Sequence, residues 1–383
     1  MKRELLEELK RHCTVIDTYP NWSKAEKKEM KRAIRDTLER TGWIDLRYFP
    51  ADHRWNLCSE RLRTGDFSNW DGWEFRSDWS MTYWWGKEIK IPIPKLDLRK
   101  SYQSPIKHIV VLGEQGLGDE ICYSSVLPEL ITRAGHDAIE FQCYPKLKPV
   151  FERSFRIKCT DRLPLSEVKH GEAVIALGDL LPLYRKAKEH FPRRPFLRPD
   201  PALAEHWKCW LRGFTRPWVG FAYKSRHGSF DRAKFLSAMT SGARFDLQYG
   251  SQSRDSPPFD VSNDFENLFA FISCLDRVES CTQTLCHIAG SLGKECHAVI
   301  PPKNGETISK LWYYSEGKSF PPGFDGYWES PIYPNFTVYK NIDEFRNCST
   351  RRIERPLSVN TGGLVGHRRK DAICDPDPHQ TYQ

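Results

Sequence analysis

Hydrophobic and polar positions follow three rhythms along the chain, and each predicts a different kind of structure. From residue 3 to about 40 the apolar residues recur at helical spacing, with Ser23 placed as an N-cap ahead of a second helix over 25–40 that Thr41-Gly42 ends. Between 55 and 85 the pattern is aromatic instead: Trp55, Phe67, Trp70, Trp73, Phe75, Trp79, Tyr83, Trp84 and Trp85. From 106 onward short β-branched or apolar runs alternate with helical stretches. Strands are predicted over 106–112, 139–143, 173–177, 218–223, 244–250, 296–300 and 337–339, and helices over 202–211, 265–275 behind Asp264, and 342–347. Alternating strands and helices predict an α/β protein with parallel sheets.

Prolines and glycines divide this pattern. Pro92, Pro94 and the polar run 95–104 form a linker, and the proline-rich stretch 191–201 is the best interdomain boundary. The expected organisation is a helical and aromatic extension over 1–100, a Rossmann-like domain over 101–200, a second over 201–348, and a basic disordered tail over 349–383. The aromatic stretch has two readings. Its rings either pack the extension onto the next domain or, interleaved with arginine, make a stacking platform for bases or sugars.

Chemistry concentrates where predicted strands end. Ile109-Val110-Val111-Leu112 leads into Gly113-Glu114-Gln115-Gly116-Leu117-Gly118-Asp119-Glu120, so the glycines occupy a strand-to-helix turn. Such a turn offers backbone N–H groups and the positive end of a helix dipole to an anion or a sugar hydroxyl. Its spacing does not fit G-x-G-x-x-G, and no Gly-Lys-Ser/Thr follows, so neither a dinucleotide fingerprint nor a P-loop is present. A second turn lies within 276–294, read as strand, turn, helix and glycine cap, with Thr282 and Gln283 at the helix start and His287 on its inner face. Lys224, Arg226 and Arg232 cluster after the predicted strand 218–223, where a diphosphate can be held by forked and point-charge contacts.

The strings Glu114-Gln115-Gly116-Leu117-Gly118-Asp119 and Leu127-Pro128-Glu129-Leu130 resemble the glycosyltransferase segment that follows tetratricopeptide repeats in many bacterial proteins. That segment is itself similar to the ADP-heptose:lipopolysaccharide heptosyltransferases. The stretch 63–76, with Gly65-Asp66-Phe67 and Gly72-Trp73, resembles the linker from repeat to transferase, although no 34-residue repeat is visible here. Thr282, His287, Ala289, Gly290, Leu292, Gly293 and Lys294 match the family's later motif in register. The resemblance implies a GT-B architecture, two Rossmann-like domains facing a cleft. It implies Asp119 as the base that takes the acceptor proton. It implies a nucleotide-sugar donor held by Gly116, Gly118, Lys224, Arg226, Arg232, Gln248, Thr282, Gln283 and His287. Two departures stand out: Cys281 replaces the family's aspartate, and Glu295 follows Lys294 where proline is usual.

Composition narrows this less than the motifs do. The 383 residues carry 58 basic and 50 acidic side chains, a net +8 that is compatible with a nucleotide-sugar, a phosphorylated acceptor, a lipid surface or DNA. No apolar run approaches the length of a membrane span, and the charged start Met1-Lys2-Arg3-Glu4 is unlike a signal peptide, so a cytoplasmic protein is expected. Twelve dispersed cysteines with no C-x-x-C pair read as reduced thiols. No cofactor and no metal ion are expected. The function expected is inverting, metal-independent glycosyl transfer to a glycan, a lipid-linked sugar or a protein. Two alternatives remain: a phage-type transferase acting on a modified DNA base, and a non-catalytic module of the same fold that binds a nucleotide or polyanion.

Overall fold

The computed structural model describes residues 3–17, 23–41, 54, 57–58, 61–62, 66–71, 73, 108–162, 173–191, 193–225, 228–302, 327–339 and 341–352. Two helices open the chain, α1 (Arg3–Asp17) and α2 (Lys24–Thr41). Ser23 does cap α2, and the cap is reciprocal: the Glu26 amide donates to Ser23 Oγ at 3.2 Å while the Ser23 amide donates to Glu26 Oε2 at 2.6 Å. Leu9, Val15 and Ile16 of α1 bury against Ile34 and Leu38 of α2.

The first α/β unit comprises β1 (Ile109–Leu112), α3 (Leu117–Tyr123), α4 (Leu127–Ala134), β2 (Ile139–Cys143), α5 (Lys148–Phe155), β3 (Lys158–Asp161), β4 (Ala173–Ala176) and α6 (Leu181–Tyr184). Its four strands are parallel, in the order β3-β2-β1-β4. β1 and β4 are buried along their whole length, as strands covered on both faces must be. β3 is absent from the sequence reading. It is an edge strand whose Lys158 and Asp161 are exposed and whose Cys159 is buried, so only a weak alternation marks it.

The second unit comprises α7 (Pro201–Leu211), β5 (Trp218–Ala222), β6 (Lys224–Ser225), β7 (Gly228–Ser229), α8 (Arg232–Ala238), β8 (Ala243–Asp246), α9 (Phe265–Cys274), β9 (Arg277–Cys281), α10 (Thr284–Ser291), β10 (Glu295–Val299), β11 (Tyr327–Glu329), β12 (Phe336–Tyr339) and α11 (Ile342–Arg352). Strand order is β11-β12-β10-β9-β5-β8, parallel except for β11 against β12, and β6 and β7 form a separate hairpin. Asp200 caps α7 and Asp264 caps α9. One expectation is corrected at the end. Residues 349–352, assigned to a disordered tail, continue α11, because Asn341 caps that helix through the Asp343 and Glu344 amides and no proline intervenes before Pro356. The rest of that tail lies outside the described residues.

Each sheet has one place where its chain order reverses: between β1 and β4 in the first, and between β5 and β9 in the second. Loops leaving the carboxyl ends of strands at such a reversal diverge to opposite faces and open a crevice, which is where open α/β sheets take their ligands. The two units are tied together beside these crevices. Arg153 of α5 forks onto Glu266 of α9 at 2.6 and 2.8 Å, and Lys146 donates to Ser262 O and Asn263 Oδ1 at 2.9 and 2.6 Å.

The aromatic stretch packs, as the first of its two readings has it. Trp70 Nε1 donates to Arg185 O at 2.8 Å, Trp73 Nε1 donates to Gly178 O at 2.8 Å, and Trp73 meets Tyr123 edge-on with ring centroids 5.9 Å apart. Trp55, Phe75, Trp79, Tyr83, Trp84 and Trp85 lie outside the described residues. Trp73 is fully buried, so Trp73→Ala leaves a large cavity and an unpaired carbonyl at the turn after β4. Urea unfolding of this variant is expected to show a loss of about 3–5 kcal/mol.

Candidate functional site

The turn after β1 is built by its own side chains. Gly116 is the N-cap of α3, and its amide donates to Asp119 Oδ2 at 3.0 Å. Asp119 is therefore a cap for its own helix, the structural role its position favours. It is also half-buried beyond the carboxyl end of β1. Gln115, just before it, holds a left-handed backbone with φ of 58°. Glu114 turns the other way and accepts the Gly178 amide at 2.6 Å, joining the turns after β1 and β4 across the first crevice.

The turn after β9 faces it. Gly118 has no room for a side chain, because a Cβ there would lie 2.8 Å from His287 Cδ2 and 3.5 Å from Thr284 Oγ1. The glycine turn of the first unit thus touches the first turns of α10 in the second. Thr282 is 2% exposed, and its hydroxyl has no hydrogen-bond partner among the described residues. A buried hydroxyl left unpaired costs about 1–3 kcal/mol, so a structure keeps one where something else satisfies it. Gln283 is the N-cap of α10 but does not cap it with its side chain, which turns back to Ser280 Oγ at 3.3 Å. The Cys286 amide turns to Gln283 O at 3.0 Å, and the helix start receives no side-chain cap.

His287 differs from its expected donor-binding role. It is 2% exposed at the seam between the units, with Nδ1 2.7 Å from Tyr333 Oη. Burial pushes its pKa down to about 3, so the ring is neutral at ordinary pH. Here it is a packing residue that sets the approach of Gly118.

Around the second crevice the predicted cations separate. Lys224 is exposed on β6, at the carboxyl end of β5. Gln248 does not extend toward a ligand with its carbonyl, which instead accepts the Tyr223 and Lys224 amides at 3.2 and 2.9 Å and so fixes the backbone under Lys224. Arg232 pairs with Asp255 at 2.7 Å, with Asp246 at 3.6 Å, and its guanidinium lies over the Phe221 ring. It is spent on local architecture. Arg226 lies outside the described residues, as do Trp312, Tyr313 and Tyr314. Among the described residues no group of three His, Cys, Asp or Glu side chains is placed to hold a metal ion.

Sequence reading passed over the residues with the strongest electrostatics. Glu120, next to Asp119, is fully buried and paired with Arg162, whose Nη2 lies 2.7 Å from Oε1. Arg162 also stacks over Tyr144 at 3.8 Å. Glu120 was visible as a charge where the helical pattern of α3 calls for an apolar residue. Its partner lies 42 residues away, and no local pattern announces such a pairing. A separate cavity of about 530 Å³, lined by Glu205, Lys208, Arg216 and Cys274 among others, opens beside Trp218 at the amino end of β5, away from both crevices.

With this geometry in hand the chain can be set beside known proteins. No protein-family model matches it. Protein FlbA of Caulobacter vibrioides is 26% identical over 265 residues, which cover 58% of this chain and 44% of that protein. The chain therefore spans less than half the length of this curated relative. Two solved glycosyltransferases align with part of the chain. The glycosyl transferase family 9 protein from Veillonella parvula aligns with 68% of this chain and 93% of its own, at a TM-score of 0.44 and 12% identity. E. coli ADP-heptose lps heptosyltransferase II aligns with 65% of this chain and 100% of its own, at 0.41 and 11%. No described helix is long and apolar enough to cross a membrane.

Two outcomes test this geometry. Gly118→Ala forces the seam apart at His287, and thermal unfolding is expected to reveal a loss of about 1–3 kcal/mol that is smaller in the Gly118→Ala, His287→Ala double variant than the two single losses added. Glu120 supplies the second. Burial outweighs Arg162 and raises its pKa from the ordinary 4.5 to about 7. A folded-state pKa above the unfolded one gives stability that is complete below about 4.5 and lost as pH rises through about 7. Urea midpoints are expected to fall across that window in the native protein and to lose the fall in Glu120→Gln.

Proposed function

We propose that the protein is a glycosyltransferase that takes a sugar from a nucleotide-sugar donor. One observation carries the reading: both crevices at strand-order reversals meet at a single seam, where the Asp119 turn touches the start of α10. In support of this reading, Gly118, next to Asp119, lies against His287 and Thr284 of α10, and the buried Thr282 hydroxyl just before that helix has no partner among the described residues. A group-transfer site needs one group to take a proton from the acceptor and another to receive charge on the leaving group.

In this reading Asp119 accepts the acceptor's hydroxyl proton. The freed oxygen attacks the anomeric carbon, and the bond from that carbon to the donor diphosphate breaks on the opposite side, inverting the centre. The diphosphate leaves with the electron pair. Its negative charge is met by the α10 amides, by Thr282 and by Lys224, and a metal ion is not needed for that balance. Gly116 lets the acceptor approach the backbone. Gln248 and Arg232 serve the site indirectly, by holding the loops after β5 and β8. The names of the family 9 protein and the heptosyltransferase agree with this class of reaction and do not identify the sugar or the acceptor used here.

The test is a panel of ADP-, GDP- and UDP-sugars read by thermal shift and slow donor hydrolysis, with Asp119→Ala alongside. A donor that stabilises both proteins but is hydrolysed at least tenfold faster by the native one is the expected result. Stabilisation with no turnover in either would favour the non-catalytic binding module, and no stabilisation by any nucleotide would remove the donor site. Thr282→Val offers an independent check. It is expected to weaken donor affinity about tenfold while leaving the melting temperature unchanged or higher, since the orphan hydroxyl contributes nothing to the unliganded fold.

A further inference from the structure

The turn that carries Asp119 is held from outside by a closed set of contacts that the reaction scheme above does not use. Three strands contribute to it. Tyr144 follows β2, Arg162 follows β3, and Glu120 stands in the first turn of α3 after β1. The Glu120 carboxylate accepts from Arg162 Nε and Nη2 on Oε1, at 3.1 and 2.7 Å, and from the Tyr144 amide on Oε2 at 2.9 Å. Arg162 and Tyr144 both reach Gln115 O as well, the guanidinium at 3.4 Å and the phenol at 2.9 Å. Glu120 has its room because residue 113 is glycine, where a Cβ would sit 1.8 Å from Glu120 Oε1.

These contacts converge on a backbone that would not adopt its shape unaided. A left-handed conformation at a non-glycine residue such as Gln115 is unfavourable, and the surrounding structure must over-determine it. The two donors on Gln115 O are what does so here. Gln115 in turn fixes the direction of Gly116, whose amide is the partner of Asp119.

We propose that Glu120, Arg162 and Tyr144 are positioning residues that clamp the Gln115–Gly116 turn and thereby set the Asp119 carboxylate toward the seam. The proposal rests on the transferase reading for its catalytic consequence, and on the geometry alone for the clamp. Arg162 lends charge and two forked donors, which a lysine cannot reproduce. The guanidinium carbon of Arg162 also lies 3.8 Å from the centre of the Tyr144 ring, which ties the two side chains together. The groups facing Glu120 are Arg162 from the end of β3, Tyr144 from the end of β2 and Glu114 from the end of β1, of which only Arg162 is cationic. Losing a proton from Glu120 tightens its bond to Arg162, so the clamp also couples the turn to pH.

The experiment uses the full chain with Arg162→Lys and Glu120→Gln, and reads both amide hydrogen exchange and donor turnover. Both variants are expected to raise exchange of the 115–119 amides at least tenfold while exchange in α10 stays at the native rate. With the donor that the native protein hydrolyses, kcat is expected to fall at least tenfold with KM within threefold, and the pH profile of kcat to flatten between 5 and 8 in Glu120→Gln. Unchanged exchange at 115–119, or a change in KM alone, overturns the clamp. If the native protein turns over no donor, the transferase reading fails by itself, and faster exchange confined to 115–119 still supports the clamp. A variant that melts below the assay temperature is replaced by Tyr144→Phe, which removes only the phenol on Gln115 O and must give the same localised exchange.

Discussion

The contact between the two units at Gly118 and His287, where a Cβ on Gly118 would meet the imidazole at 2.8 Å, decides what the rest of the structure can do. Each parallel sheet presents a crevice at the carboxyl ends of its strands, yet a crevice alone is a common feature of α/β folds. Bringing the two within contact of each other requires one wall with no side chain and another with a ring that can be fully desolvated. Gly118 is the first. Neutral His287, hydrogen-bonded to Tyr333, is the second. A protonated imidazole could not be buried there without a counter-charge, and the depressed pKa records that constraint.

Legibility in the sequence followed the range of the interactions. Buried parallel strands, helix caps and the strand-to-helix turns rest on residues within a few positions of each other, so Ser23, Asp200 and Asp264 and the runs at 139–143 and 296–300 announce themselves. The site divides along the same line. Gly116, Gly118, Asp119, Thr282 and Gln283 belong to local turns and are found where a local reading places them. Arg232, Gln248 and His287 carry the same chemistry on paper, but each is committed to a distant partner: Asp255, the Tyr223 and Lys224 amides, and Tyr333. The Glu120–Arg162 pair is invisible for that reason too. No pattern along the chain records that a charge is satisfied from 42 residues away.

The first crevice is also narrower than its topology alone would make it. Trp73 from the aromatic stretch donates to Gly178 O while Glu114 accepts from Gly178 N, so the turn after β4 is held on both its backbone faces. Among the described aromatic residues of the extension, Phe67, Trp70 and Trp73 thus pack against the first unit, Trp73 directly at the turn after β4.

Cys281 bears on the electrostatics of the other wall. It ends β9, directly before Thr282, and is fully buried with Val299 and Phe221 in the second unit's smaller core. Burial pushes its thiol well above the usual range, so the position carries no charge. An aspartate there would place a negative charge next to the amides at the start of α10, partly cancelling the field that those amides offer an anion, and would need its own partner to be buried. A neutral thiol avoids both costs. It leaves Thr282 and the helix terminus as acceptors of negative charge without a competing carboxylate beside them, so in this chain the departure from the family pattern is compatible with a diphosphate at the second crevice.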